Sequence, residues 1–142
     1  MISMTADRPF IDTNVIVYAF DDGEAAKQAV ARELLAAQGA PVVSTQVVQE
    51  FYVAATRKLR IPHERAAGVA KTLCEGEVIA ATPAMVLEAI ELSQHRSVSF
   101  WDALILRAAA TAGCDVLLTE DMQDGATIDG VRIENPFASL AR

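Results

Sequence analysis

Four acidic residues, Asp12, Glu50, Asp102 and Asp121, carry the chemistry that this 142-residue sequence could perform. Glu50 has Val47 one helical turn before it and Val53 and Ala54 one turn after, and residues three and four apart share a helix face. Asp102 has Ile105, Leu106 and Ala109 at matching spacings. Both carboxylates are therefore expected among apolar side chains, where an unpaired charge either neutralises or binds a cation. Asp12 and Asp121 follow short apolar runs that read as strands, and open sheets form their sites just beyond the carboxyl ends of strands. Each acid alone also has an ordinary explanation. Asp12 and Asp121 are of a type common in turns and caps. Ser99-Phe100-Trp101-Asp102 fits a capping box, although aspartate is short for the reach. Glu50 has Arg57 and Arg107 as candidate ion-pair partners.

No Ser, His and Asp set is suggested, and no Gly-rich phosphate loop follows a strand. What remains is a carboxylate-lined metal site. Two like charges about 5 Å apart repel by roughly 3 kcal/mol at an effective dielectric near 20, so four carboxylates together need a cation or a proton. Oxygen-only ligands favour magnesium or manganese. Such ions polarise a phosphoryl oxygen, generate hydroxide from bound water and steady a leaving oxygen. Phosphodiester hydrolysis uses all three.

The formal net charge of −7 argues at first against a nucleic-acid partner. With the four acids set aside, 15 acids face 12 bases and the remainder carries −3. The bases are also clustered, with Arg57, Lys58, Arg60, Arg65 and Lys71 inside one 15-residue stretch. Such a patch can hold a phosphate backbone despite an acidic whole, or it can be a solvated helix face.

These residues need a scaffold, and the pattern supplies one domain spanning 1–142 without repeats or low-complexity linkers. Strands are expected at Pro9–Ile11, Pro41–Ser44, Glu77–Ile79, Asp115–Leu118 and Val131–Ile133, the last after an Asp129-Gly130 turn. Helices are expected from Gly23 to Gln38 with Ala26, Val30 and Leu34 inward, from Thr45 to about Leu59, from Pro62 to Cys74, after the Thr82 cap, and from the Ser99 cap to Gly113. Val15 to Phe20 is ambiguous between helix and strand. The alternation predicts an α/β fold, a mainly parallel sheet with helices on both faces. Cys74 and Cys114 read as buried thiols of a reducing compartment. No apolar run approaches the roughly 18 residues of a membrane span, and the opening residues lack a secretory pattern, so a cytoplasmic protein is expected.

Phe10-Ile11-Asp12-Thr13-Asn14-Val15, Gln49-Glu50-Phe51, Ser99-Phe100-Trp101-Asp102-Ala103-Leu104 and Leu118-Thr119-Glu120-Asp121-Met122-Gln123-Asp124-Gly125 resemble the successive motifs of a PIN domain, more narrowly of VapC-type toxins of toxin–antitoxin pairs. The resemblance spans nearly the whole chain. It implies a three-layer α/β/α, Rossmann-like fold and a magnesium- or manganese-dependent endoribonuclease. It also implies that Asp12, Glu50, Asp102 and Asp121 form the acidic quartet. Asn14 and Thr119 resemble accessory polar residues beside it, and Asp124 an additional acid near the metal. A homodimer inhibited by a cognate antitoxin is implied as well. Phe100 and Trp101 read as core or dimer packing, with stacking on RNA bases as the other use. Two competing readings are a catalytically silent interaction domain of the same fold and a doubly wound phosphatase or nucleotide-binding enzyme. Against the latter, Asp12-Thr13-Asn14 lacks a second aspartate two positions on.

Overall fold

Short runs of apolar residues, buried on both sides, make the centre of the molecule. A computed structural model describes residues 8–39 and 41–141 of the chain; the expectation about the opening residues lies outside them. Strand β1 is Pro9–Ile11, β2 Val42–Ser44, β3 Glu77–Ile79, β4 Val116–Leu118, β5 Thr127–Ile128 and β6 Val131–Glu134. The helices are α1 Thr13–Tyr18, α2 Ala25–Gln38, α3 Thr45–Arg57, α4 His63–Cys74, α5 Pro83–His95 and α6 Phe100–Thr111, with a final 3-10 turn at Ala138–Ala141. The six strands lie in the order β3-β2-β1-β4-β6-β5, and every pairing is parallel except β5 with β6. Phe10, Ile11, Val43 and Leu117 have no exposed surface. Alternate residues of a strand face opposite ways, so full burial of neighbours requires cover on both faces. The expected α/β sandwich is what forms.

Local chemistry sets the helix starts. Ser44, Thr82 and Ser99 each cap a helix by accepting the N–H of Val47, Met85 and Asp102. Gly39, at φ 68°, ends α2 in a conformation that glycine adopts without cost. The ambiguous Val15–Phe20 run is helical up to Tyr18, because Asp12 caps it directly off β1.

Four expectations need correction. Helix α2 begins at Ala25 rather than Gly23, and Ala31, not Ala26, is its buried contact; Ala26 is exposed. Strand β5, two residues long, was not anticipated and turns back on β6 at Asp129-Gly130, both in positive φ. Cys114 is buried, and burial pushes its thiol up to about 11, but Cys74 is exposed because the α4 face that packs is Ala66 and Leu73. Trp101 is 61% exposed and does not belong to the core. Among the described residues no helix is long and apolar enough to cross a membrane.

Candidate functional site

Strand order reverses between β1 and β4: the chain builds outward through β2 and β3 on one side of β1, then returns to its other side. Such a switch point opens a crevice at the carboxyl ends of the two strands. Asp12 and Thr119 stand there side by side. The Asp12 N–H continues the ladder to the Leu118 carbonyl at 3.0 Å, and the Thr119 N–H reaches the Glu134 carbonyl at 3.0 Å. Backbone pairing thus fixes the distance between two residues 107 apart in sequence.

Asp12 is 5% exposed. One carboxylate oxygen accepts from the Thr13 N–H at 2.7 Å, the other from the Thr119 hydroxyl at 2.8 Å. The same hydroxyl accepts from Asn14 Nδ2 and from the Asp121 N–H, both at 3.1 Å, so its hydrogen and both lone pairs are used. Asn14 then clamps the segment that follows β4. Its amide nitrogen donates to Asp121 Oδ2 at 2.9 Å, and its amide oxygen accepts from the Glu120 N–H at 3.3 Å. The structure therefore joins Asp12, Asn14, Thr119 and Asp121 in one hydrogen-bonded cluster.

Glu50 arrives from α3. Its carboxylate accepts from the Thr13 hydroxyl at 2.8 Å and from Gln46 Nε2 at 3.3 Å. Contrary to the expectation from helical spacing, Glu50 is exposed. Val47, Phe51 and Ala55 face the core, and Glu50 sits at the edge of that stripe. Neither Arg57 nor Arg107 pairs with it; Arg107 is held by Glu88 and Asp129. Asp102 is half-buried on the first turn of α6, with its N–H on Ser99.

Asp12 and Asp102 each feel the charges of Asp121 and Glu50. Burial raises the Asp12 carboxyl to about 6, against the pull of Thr119 and Thr13, and the charges of Asp121 and Glu50 raise it further. Burial likewise raises Asp102, the Ser99 hydroxyl opposes it, and the same two neighbours add to the rise. Among the described residues, no three His, Cys, Asp or Glu side chains are gathered ready to ligate one ion.

The donor set nevertheless fits a hard divalent cation: carboxylate oxygens only, one of them buried without a positive partner. Gln46 gives a second sign. It is 8% exposed, its Nε2 faces Glu50, and its Oε1 is buried without a partner. An orphan acceptor beside a carboxylate calls for a donor such as a water of a hydrated ion.

Gln46, Thr13 and the network behind Glu120 carry no signal in the sequence. Tyr18 donates to Glu120 Oε1 at 2.5 Å. Lys27 bonds Glu120 Oε2 at 3.0 Å and the Tyr18 oxygen at 3.2 Å, and lies 4.7 Å from the Tyr18 ring centre. The glutamate and the tyrosine push Lys27 up to about 12. This network holds the residue between Thr119 and Asp121. Asp124, which the resemblance places near the metal, is exposed and accepts the Asn135 N–H at 2.9 Å. Arg57, Lys58, Arg60 and Arg65 are all exposed, at the end of α3, in the following turn and on the first turn of α4. Arg57 lies seven residues beyond Glu50, two turns or about 10 Å along the same helix face.

No curated protein sequence matches the chain. Among solved structures, a toxin–antitoxin complex from Klebsiella pneumoniae superposes with a TM-score of 0.69 at 22% identity, covering 90% of this chain and 97% of that one. The DNA-bound VapBC of Salmonella typhimurium gives 0.66 at 20% identity, covering 92% and 98%. The Mycobacterium tuberculosis toxin VapC20, described as cleaving the sarcin–ricin loop, gives 0.62 at 22% identity, covering 77% and 86%. At these identities the likeness speaks for the fold. The profile of the PIN domain matches residues 10–123, from the strand before Asp12 to just past Asp121, and the chain therefore belongs to the PIN domain family.

Proposed function

We propose that this protein is a divalent-metal-dependent endoribonuclease and the toxin of a VapBC-type pair. The observation that carries the reading is the buried Asp12 carboxylate at the strand switch point, raised to about 6 by burial and by the charges of Asp121 and Glu50, the same two acids that act on Asp102. Asp12, Asp102 and Asp121 would hold magnesium or manganese, with Glu50 as a further ligand or as the group that orients the attacking water. When bound, the ion supplies Lewis-acid stabilisation of the phosphoryl oxygens and a more acidic water. The chain's own residues do the positioning. Thr119 and Asn14 fix the two aspartates relative to each other, and Thr13 and Gln46 aim Glu50. The exposed bases beyond Glu50 take the RNA backbone, and an unpaired strand is the form that brings a phosphodiester to the crevice.

The antitoxin partnership and the homodimer rest on the resemblance and on the neighbours, two of which are toxin–antitoxin assemblies. Exposed apolar side chains offer area for such contacts: Leu87 at 66% and Ile90 at 40% on α5, Trp101 on α6.

The test is a single-stranded RNA incubated with purified protein. Cleavage is expected with magnesium or manganese, none with a chelator, and none with Asp102→Asn. Metal-independent cleavage, or full activity in Asp102→Asn, would overturn the assignment. A folded, metal-binding protein that cleaves nothing would be the silent interaction domain instead.

Positioning through Glu120 can be measured separately. Lys27→Met is expected to lower kcat by about tenfold with KM unchanged, because loss of alignment costs rate rather than affinity. Lys27→Arg should restore most of it. Equal loss in both variants would remove the positioning role.

A further inference from the structure

A groove of about 430 Å³ lies between the segment 96–99, which leads from α5 into α6, and the segment that follows β4. Asp102 and Asp121 line it, so it opens directly beside the carboxylate cluster. Ile128 and Ile133 are buried beneath it, Met122 is half-buried, and Arg96 and Gln123 are exposed at its rim. The lining is mixed, with Ser97 and Ser99 joining the two aspartates, Arg96 and Gln123 above the buried isoleucines, and the volume of a few hundred Å³ is that of a small-ligand site.

Charge selects the occupant. Two aspartates on one side disfavour a free anion. A base carries no charge and meets apolar floor, with the Gln123 amide able to donate or accept at its edge. The phosphate attached to such a base needs a cation, and Arg96 is the basic residue lining the groove. Like the bases of the α3–α4 stretch, and unlike Arg8, Lys27, Arg107 and Arg132, Arg96 has no ion-pair partner among the described residues. It sits at the C-cap of α5 in extended backbone, φ −128° and ψ 158°, outside the helical turn.

We propose that this groove is a nucleotide subsite, holding one unpaired RNA base next to the scissile phosphodiester with Arg96 on that nucleotide's phosphate. The proposal rests on the ribonuclease reading above and names where that substrate lies. A base held in a duplex cannot leave its stack to enter the groove, so the subsite makes the protein a single-strand reader. Its preference among bases would be set by Gln123.

The experiment separates the two readings by using binding as well as turnover. Fluorescent pentaribonucleotides of each base are titrated into Asp12→Asn protein with magnesium, with and without Arg96→Ala. The arginine variant is expected to weaken binding about fivefold to tenfold. It should also flatten the dependence of log K on log salt by about 0.7, one single-strand phosphate's share. Replacing the phosphate beside the cleaved bond by a neutral methylphosphonate should cost the same factor in Asp12→Asn and nothing further in the Arg96→Ala double variant. In the active protein, Arg96→Ala should raise KM and leave kcat within about twofold. An oligonucleotide abasic at that position should lose affinity, and Met122→Ala should lose none beyond it. Unchanged affinity and salt slope in Arg96→Ala would overturn the subsite even where cleavage is robust. Loss confined to an Arg57→Ala, Arg65→Ala variant would overturn it too. Arg96-dependent binding without any cleavage would keep the subsite and sink the nuclease.

Discussion

Replacing Asp12 by asparagine should make the metal-free protein more stable at pH 7.5 while removing its activity. The two effects have opposite signs because one buried charge serves function at the expense of folding. The carboxyl titrates near 4 in an unfolded chain and at about 6 here, so the folded state holds the proton more tightly. Between those values the native state binds more protons than the unfolded state, and stability therefore falls as pH rises through the window. Two pH units correspond to about 3 kcal/mol, fully lost above roughly pH 6. Asparagine removes that penalty but disturbs one hydrogen bond. Thr119 must donate to position 12 and the Thr13 N–H needs an acceptor there too, while an amide has only one oxygen. With about 1 kcal/mol for that bond, the net gain is about 1–2 kcal/mol, or about 3–8 °C in Tm. Scanning calorimetry with a chelator should show wild type losing stability from pH 4 to 6.5 and Asp12→Asn losing less. Activity should fall by more than about a hundredfold. A variant that melts lower than wild type at pH 7.5 would mean that the buried charge is compensated by groups not identified above.

Thr119→Val is the second large effect, and it runs the other way. The substitution keeps the shape and removes a fully buried hydroxyl that makes three hydrogen bonds. Asp12 loses a donor, and Asn14 and the Asp121 N–H lose an acceptor. The cost should be about 2–4 kcal/mol in urea unfolding. Thr119→Ser keeps the hydroxyl and gives up one buried methyl, about 1 kcal/mol. Manganese binding by calorimetry should weaken with valine and survive with serine, because Asp12 and Asp121 are then still held in register. Equal destabilisation by the two substitutions would reduce Thr119 to a packing residue.

Much of this arrangement can be read from the residues alone, for identifiable reasons. Caps and stops are local chemistry, so Thr82, Ser99 and Gly39 mark their helices correctly. Asp12 is placed by the run of apolar residues before it. Asn14 and Thr119 stood out only through the resemblance, because their partners lie more than a hundred residues away. Glu50 was misjudged because spacing gives a helix face but not the width of its buried stripe. Lys27, Tyr18 and Glu120 carry no pattern at all; sheet order brings them together. Strand β5, at two residues, is below the length at which alternation means anything.

The adjacency of β1 and β4 has a consequence for how the protein is made. During synthesis the first strand emerges more than a hundred residues before the one that must lie beside it. Until then Asp12 has neither Thr119 to hold it nor Asp121 across from it. Pairings this distant form late, so a ribosome-bound intermediate of the proposed ribonuclease is harmless to the RNA around it. A chain interrupted anywhere before residue 116 should be inert, however well its earlier helices have formed.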